Sequence, residues 1–148
     1  MSDSAPSNQH NLLYILTTLQ AIEQIVAYSD GFNTFDDFLW ANKRLNFNGS
    51  LQLLMVIGEE IKKLDTSLKS LFPQIPWRSI QGIRNRIAHD YRGIDHEEVF
   101  AIIKQELSPL KTVLVNMMDR VHYDPTVLQQ ALASIYYSEI GYLRSKLR

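Results

Sequence analysis

The stretch Trp77 to Gly93, WRSIQGIRNRIAHDYRG, decides how this chain reads, because it packs four arginines, one histidine and one tyrosine into a single predicted helix end. At about 100° per residue, Ile80, Ile83 and Ile87 share one side of a helix, while Arg78, Asn85 and His89 fall opposite. Asn85 and His89 are four residues apart, so the amide can orient the imidazole and fix which nitrogen carries the proton. Arg84 falls on the flank of the isoleucine stripe, beside Ala88 and Tyr91, where a guanidinium must snorkel, pair or face a partner. Pro76 suits the start of this helix because its missing N–H needs no partner there, and Gly93 ends it.

The same period recurs on both sides. Leu12, Ile15, Leu19, Ile22 and Val26 step by threes and fours, and Ser29, Asp30 and Gly31 stop that helix. Thr34 with Asp37 forms a capping-box pattern for a short helix that carries Phe38 and Leu39 inward. Asn46, Asn48, Gly49 and Ser50 read as a turn before a second stripe, Leu54, Ile57, Ile61, Leu64 and Leu68. Gly58 inside that stripe either permits the close approach of another backbone or is merely tolerated. Beyond the motif, Asp95 with Glu98 caps a helix through Val99, Ile102, Ile103 and Leu107, which Ser108-Pro109 should kink or restart. After Tyr123-Asp124-Pro125, a last helix carries Leu128, Leu132, Ile135, Tyr136, Leu143 and Leu147 and ends on Arg144, Lys146 and Arg148. No segment alternates apolar and polar residues for long, so the expected fold is an all-α antiparallel bundle.

Composition narrows the function. With 148 residues, 45% hydrophobic, the chain can bury a core of its own. A formal net charge of −1 argues against nonspecific coating of nucleic acid, though a local basic site fits. The absence of cysteine removes disulfides and thiolate metal sites and suits the cytoplasm. A polar start without an apolar run, and no stretch of about 18 apolar residues, point away from export and from a membrane span. His10, His89, His96 and His122 share no ligand-spaced helical face, so no metal site or cofactor is expected. Nucleophile-elbow, phosphate-loop and dinucleotide glycine patterns are missing as well.

What remains is the motif helix. His89 near a helix C-terminus gains from the unpaired carbonyls as an imidazolium, whereas Arg78, Arg84, Arg86 and Arg92 oppose that charge. Planar guanidiniums suit phosphate, but four arginines on a helix are also what a solvated face looks like, and a His-x-Tyr helix end can be a cap with a packed aromatic.

Arg84-Asn85-Arg86-Ile87-Ala88-His89-Asp90-Tyr91 resembles the Arg-x4-His-x-Tyr motif of the HepT-like branch of the HEPN superfamily. Ile57-Gly58-Glu59, Ile75-Pro76-Trp77-Arg78 and Tyr91-Arg92-Gly93-Ile94-Asp95 resemble the flanking phrases of that family, in its order, over about residues 10–119. The resemblance implies a HEPN-type bundle, usually a homodimer with the site in the dimer cleft. It further implies a metal-independent endoribonuclease acting as the toxin of a toxin-antitoxin pair. A minimal nucleotidyltransferase would be the antitoxin, silencing the toxin by AMP transfer to the motif tyrosine. By position, Arg84 and His89 become the catalytic pair, Asn85 their polar support and Tyr91 the modified residue, while Arg78, Arg86 and Arg92, from the arginine group around His89, are expected as supporting or RNA-binding groups. The alternative is a noncatalytic binding subunit of a nucleotidyltransferase.

The expected organisation is a flexible start over 1–9, the bundle over 10–119, and a helical C-terminal extension over 124–148 packing on the same domain. Two departures stand out: Asn48-Gly49-Ser50 where relatives continue a helix, and Glu60 where they carry a small alanine. Both are expected to loosen helix packing there.

Overall fold

The first stripe becomes the spine of the fold. A computed structural model describes residues 4–87 and 94–147, and in it α1 (Ser4–Ser29) packs most extensively on α3 (Leu45–Lys63). α1 reaches back to Ser4, into the stretch read as a flexible start. It is walled by α3, α7 (His96–Gln105), α8 (Leu107–Met117) and the C-terminal segment, so more than one stripe is buried. Leu12, Ile15, Leu19 and Ile22 face inward as expected, joined by Leu16, Asn11, Thr18 and Gln20. At the last turn burial passes to Ile25, and Val26, expected inside, is 48% exposed. The helix stops where Ser29 Oγ donates back to the Ile25 carbonyl at 2.8 Å and Gly31 takes φ +84°.

In α2 (Phe35–Trp40), Thr34 Oγ1 accepts from the Asp37 backbone N–H at 3.2 Å, and Phe38 and Leu39 are buried as the capping pattern requires. Phe38 lies against the rings of Phe32, Phe47 and Phe100. A short 3-10 segment, Ala41–Arg44, then carries Asn42, Lys43 and Arg44 at φ 50°, 57° and 72°, a left-handed run of non-glycine residues that no turn signal foretold.

The expected turn at Asn46–Ser50 is instead the opening of α3. Its polar and small residues serve the crossing with α1. A Cβ at Gly49 would stand 3.2 Å from the Tyr28 ring, Ser50 is fully buried, and Asn46 Nδ2 donates to the Tyr28 carbonyl at 2.9 Å. Further along α3 the packing is tight, not loosened: a Cβ on Gly58 would meet Ile83 Cγ2 at 2.7 Å and the Ile80 carbonyl at 3.2 Å. Glu60 turns to Lys63, 3.2 Å away.

A single turn, α4 (Thr66–Lys69), leads toward Pro76. After the motif, Asp95 accepts from the Glu98 N–H at 3.0 Å to start α7. The chain breaks at Glu106 (φ −101°) before α8, as expected when the Pro109 ring crowds the carbonyl four residues back.

α9 (Pro125–Ala133) begins with Asp124 accepting from Thr126 at 2.9 Å, but the single last helix expected from the sequence does not form. Ser134 is extended (ψ 140°) and its hydroxyl accepts from the Tyr136 N–H at 3.1 Å, competing with continued helix. Two 3-10 segments follow, Ile135–Tyr137 and Gly141–Leu147. The link between them seats Ile140 and the second seats Leu143 in the core, while Ile135 is 92% exposed. Tyr137 OH meets Thr17 Oγ1 at 2.9 Å, and Tyr142 OH donates to Glu23 at 3.0 Å. Burial pushes the pKa of both hydroxyls up; Glu23 adds to the rise at Tyr142, while the Thr17 bond opposes it at Tyr137.

The described residues hold helices and no strand, an all-α HEPN-like bundle, and none of these helices is long and apolar enough to cross a membrane.

Candidate active site

The motif helix is built in two pieces. α5 (Trp77–Gln81) follows Pro76, and the Trp77 indole N–H donates to the Phe72 carbonyl at 2.9 Å, fixing where the helix starts. Gly82 (φ −90°, ψ 11°) interrupts it, and α6 (Ile83–Ile87) resumes. The sequence pattern predicts a continuous helix in which Gly82 either permits close helix contact or is merely tolerated; among the described residues an added Cβ there would meet only carbonyls of its own preceding turn, at 3.5 Å and 3.8 Å. Ile80, Ile83 and Ile87 are all buried, with Ile80 and Ile83 set against the bare backbone of Gly58 on α3. Hydrophobic burial thus holds the helix down, and the glycine determines how near α3 it lies.

Its two flanks differ. Arg84 is exposed and borders a shallow cavity of about 340 Å³ whose other wall is α3, through Gln52, Met55, Val56, Glu59 and Glu60. This is the flank position the helical wheel gives it. Among the described residues it has no hydrogen bond or ion pair, which leaves a planar five-donor group at the cavity edge.

Arg86 is committed on the other flank. Nη1 donates to Ser79 Oγ at 2.8 Å, Nε lies 3.4 Å from a Glu98 carboxylate oxygen, and Nη2 lies 3.6 Å from Glu106. It ties α6 to α5, α7 and the α7–α8 junction. Sequence alone places Arg86 among supporting or RNA-binding groups and shows none of these partners. Glu98 is legible there only as a capping residue, and Glu106 carries no signal.

Asn85 is exposed on the outer face, and Arg78 is exposed at the start of the helix beside Lys62 and Lys69. His89, Tyr91 and Arg92, with the expected helix end at Gly93, lie outside the described residues. The α3 wall opposite Arg84 is likewise not apparent from sequence, although the Ile57-Gly58-Glu59 phrase marks its centre.

The all-α bundle, with an arginine-bearing motif helix seated on a glycine of its second long helix, fits the HEPN-type bundle that the sequence resemblance implies. Residues 18–117 match the family described as Ribonuclease HepT-like, and the chain belongs to the HepT-like ribonuclease family. A Thermococcus cleftensis protein named as a probable ribonuclease HepT is 32% identical over 98 residues, 66% of this chain and 86% of that protein. A Methanocaldococcus jannaschii protein with a provisional RNase name is 26% identical over 98 residues, 66% of this chain and 78% of the other. Another such protein, from Caldanaerobacter subterraneus subsp. tengcongensis, is 23% identical over 107 residues, 72% and 93% of the two chains. No solved structure matches the chain.

Proposed function

We propose that this chain is a metal-independent endoribonuclease, the toxin of a toxin-antitoxin pair, acting as a homodimer with its site in the dimer cleft. The observation that carries this reading is Arg84: exposed, with no partner among the described residues, on a helix whose neighbouring arginine is spent on structure. A family of ribonucleases with an intact Arg84 and His89 in the motif supports it.

In the proposed reaction the substrate's 2'-hydroxyl attacks the adjacent phosphorus. The new O–P bond forms as the bond to the 5'-oxygen breaks, giving a cyclic phosphate and a 5'-hydroxyl. The 2'-hydroxyl loses one proton and the departing 5'-oxygen gains one; His89 carries one of these transfers and water the other. Arg84 stabilises charge on the phosphorane oxygens. Arg84 and His89 are five residues apart, about 140° around one helix, so a site shared across a dimer axis would bring them to one phosphate more readily than one helix alone. Asn85 orients the imidazole, Arg78 and Arg92 attract the RNA backbone, and Arg86 supports the helix.

A minimal nucleotidyltransferase would neutralise this site by transferring AMP to Tyr91, adding bulk and negative charge beside the arginines. Purified wild type should cleave RNA with EDTA present, and His89→Ala should not; no cleavage by any unmodified preparation would favour the noncatalytic-subunit reading. Incubation with the partner and ATP should raise the intact mass by an adenylyl group, with no change for Tyr91→Phe; equal modification of Tyr91→Phe would move the switch elsewhere.

A further inference from the structure

A second depression, of about 430 Å³, lies where the end of α3 and α4 meet the start of the motif helix. Lys62, Thr66 and Lys69 wall one side, and Trp77, Arg78 and Gln81 the other. Among the described residues its lining holds three cations and no carboxylate, in a chain whose formal net charge is −1. By contrast, the cavity at Arg84 is bordered by Glu59 and Glu60. The charge is therefore concentrated where the reacting bond is not.

Lys69 makes this a built feature. It is only 6% exposed, and its ammonium donates to the Ile61 carbonyl at 3.0 Å. An ammonium has three donors, and the described residues supply that one acceptor. Burial lowers its pKa, and the Asp65 carboxylate partly offsets this. Asp65 itself takes a hydrogen bond from Asn11 at 2.9 Å. Capping the end of α3 accounts for one N–H of Lys69, but not for the two exposed cations gathered over it. Lys62 and Arg78 have no hydrogen bond or ion pair among the described residues. Trp77, half-buried and fixed by the bond of its indole N–H to the Phe72 carbonyl, also lines this space.

Arg78 and Arg84 are six residues apart on two helical pieces broken at Gly82, about 9 Å along the axis at ~1.5 Å rise per residue and about 120° around it, a separation that suits two neighbouring phosphates and not one. Lys62 lies one helical turn beyond Glu59 on the opposite wall. We propose that this depression is a second phosphodiester-binding subsite for single-stranded RNA, in which Lys62, Lys69 and Arg78 hold a backbone phosphate near the one at Arg84 and Trp77 offers a base a stacking face. It rests on the ribonuclease reading, whose substrate it positions. The combination of a cationic track with an aromatic face is how single strands are held without sequence readout.

The test uses the full chain carrying His89→Ala, so that RNA survives, and a labelled single-stranded oligonucleotide followed by fluorescence anisotropy. Lys62→Ala and Arg78→Ala remove exposed charges, and circular dichroism checks that the fold is kept. Each should raise Kd roughly three- to tenfold at low salt, and the double variant more. The slope of log affinity against log salt should shrink by about 0.7 for each phosphate no longer neutralised. Unchanged affinity and slope in the double variant would overturn the subsite, as would lost binding of the nucleotidyltransferase with RNA affinity intact. Cleavage by otherwise wild-type protein separates the two readings. Retained cleavage with an unmoved KM in the double variant sinks the subsite alone. RNA binding that falls in the double variant, without cleavage by wild type, sinks the ribonuclease reading alone.

Discussion

Arg84 and Arg86 stand two residues apart on one short helix, yet the bundle treats them in opposite ways. Arg86 is held by Ser79, Glu98 and Glu106, on the side where α7 and α8 meet the motif helix. Arg84 borders an open cavity on the α3 side with no partner among the described residues. A guanidinium with three neighbours is positioned but occupied; one without them can meet an incoming phosphate. Thus a row of arginines in sequence is neither a solvated face nor a uniform binding surface. One member fixes the helix, and in the proposed reaction the other meets the phosphate.

The largest effect should come from removing the unoccupied member. Arg84→Ala should lower kcat by about 10²–10³, the usual range for losing one preorganised donor to developing charge, with the melting temperature unchanged. Arg84→Lys should recover only part of this, because a point charge replaces a fork. A large loss of Tm in either variant would mean that Arg84 is structural after all.

Gly58→Ala should come next, costing about 1–3 kcal/mol, since the new methyl meets Ile83 and the Ile80 carbonyl on the seat of the motif helix. Denaturant melts would measure it, and activity should fall with stability because the helix is pushed away from α3. An unchanged melt would show that the helix is not seated on that glycine.

Arg86→Ala should have the reverse signature of Arg84→Ala. Its ion pairs are about one-third exposed, so screening limits the loss to about 1 kcal/mol, read as a lowered denaturation midpoint with kcat changed less than tenfold. A loss of kcat as large as that of Arg84→Ala, without destabilisation, would erase the contrast.

The smallest effect concerns the C-terminal segment. Tyr137 and Tyr142 have raised pKa values, so the unfolded chain ionises first, near 10.0, while the folded hydroxyls keep their protons. Their contribution is complete below pH 10 and is lost as pH rises toward the folded values. Lys69, with a lowered pKa, works the other way in the window below 10.5. Comparing melts of Tyr137→Phe and Tyr142→Phe with wild type across this range isolates the tyrosines; both variants should show a shallower alkaline decline.

Much of the bundle is legible in the sequence because burial follows helical period: Ile80, Ile83, Ile87, Leu54, Ile57 and Ile61 all face inward. Caps are legible too, since Thr34 and Asp95 supply local hydrogen bonds that no distant residue has to create, whereas Asp124, read only as part of a break, caps α9 as well. What escapes a sequence reading depends on partners far away along the chain. Asn46–Ser50 looks like a turn until Tyr28 is packed on Gly49. Val26 fits its stripe, but what surrounds the last turn of α1 decides its exposure. Periodicity over-extends the C-terminal helix because the Ser134 hydroxyl competes with the helical backbone. At the site, the wheel places Arg84 on its flank, whereas the pairing of Arg86 with Glu98 and Glu106 requires tertiary knowledge. His89 and Tyr91 rest on the motif.

The most direct measurement is single-turnover cleavage of a defined RNA, with EDTA present, by unmodified wild type, Arg84→Ala and Arg86→Ala at one temperature well below their melting points. Wild type and Arg86→Ala should cleave at rates within about tenfold of one another, and Arg84→Ala should be slower by about 10²–10³. Cleavage by Arg84→Ala at the wild-type rate, or no cleavage by wild type, would contradict the assignment of the exposed arginine to the reaction.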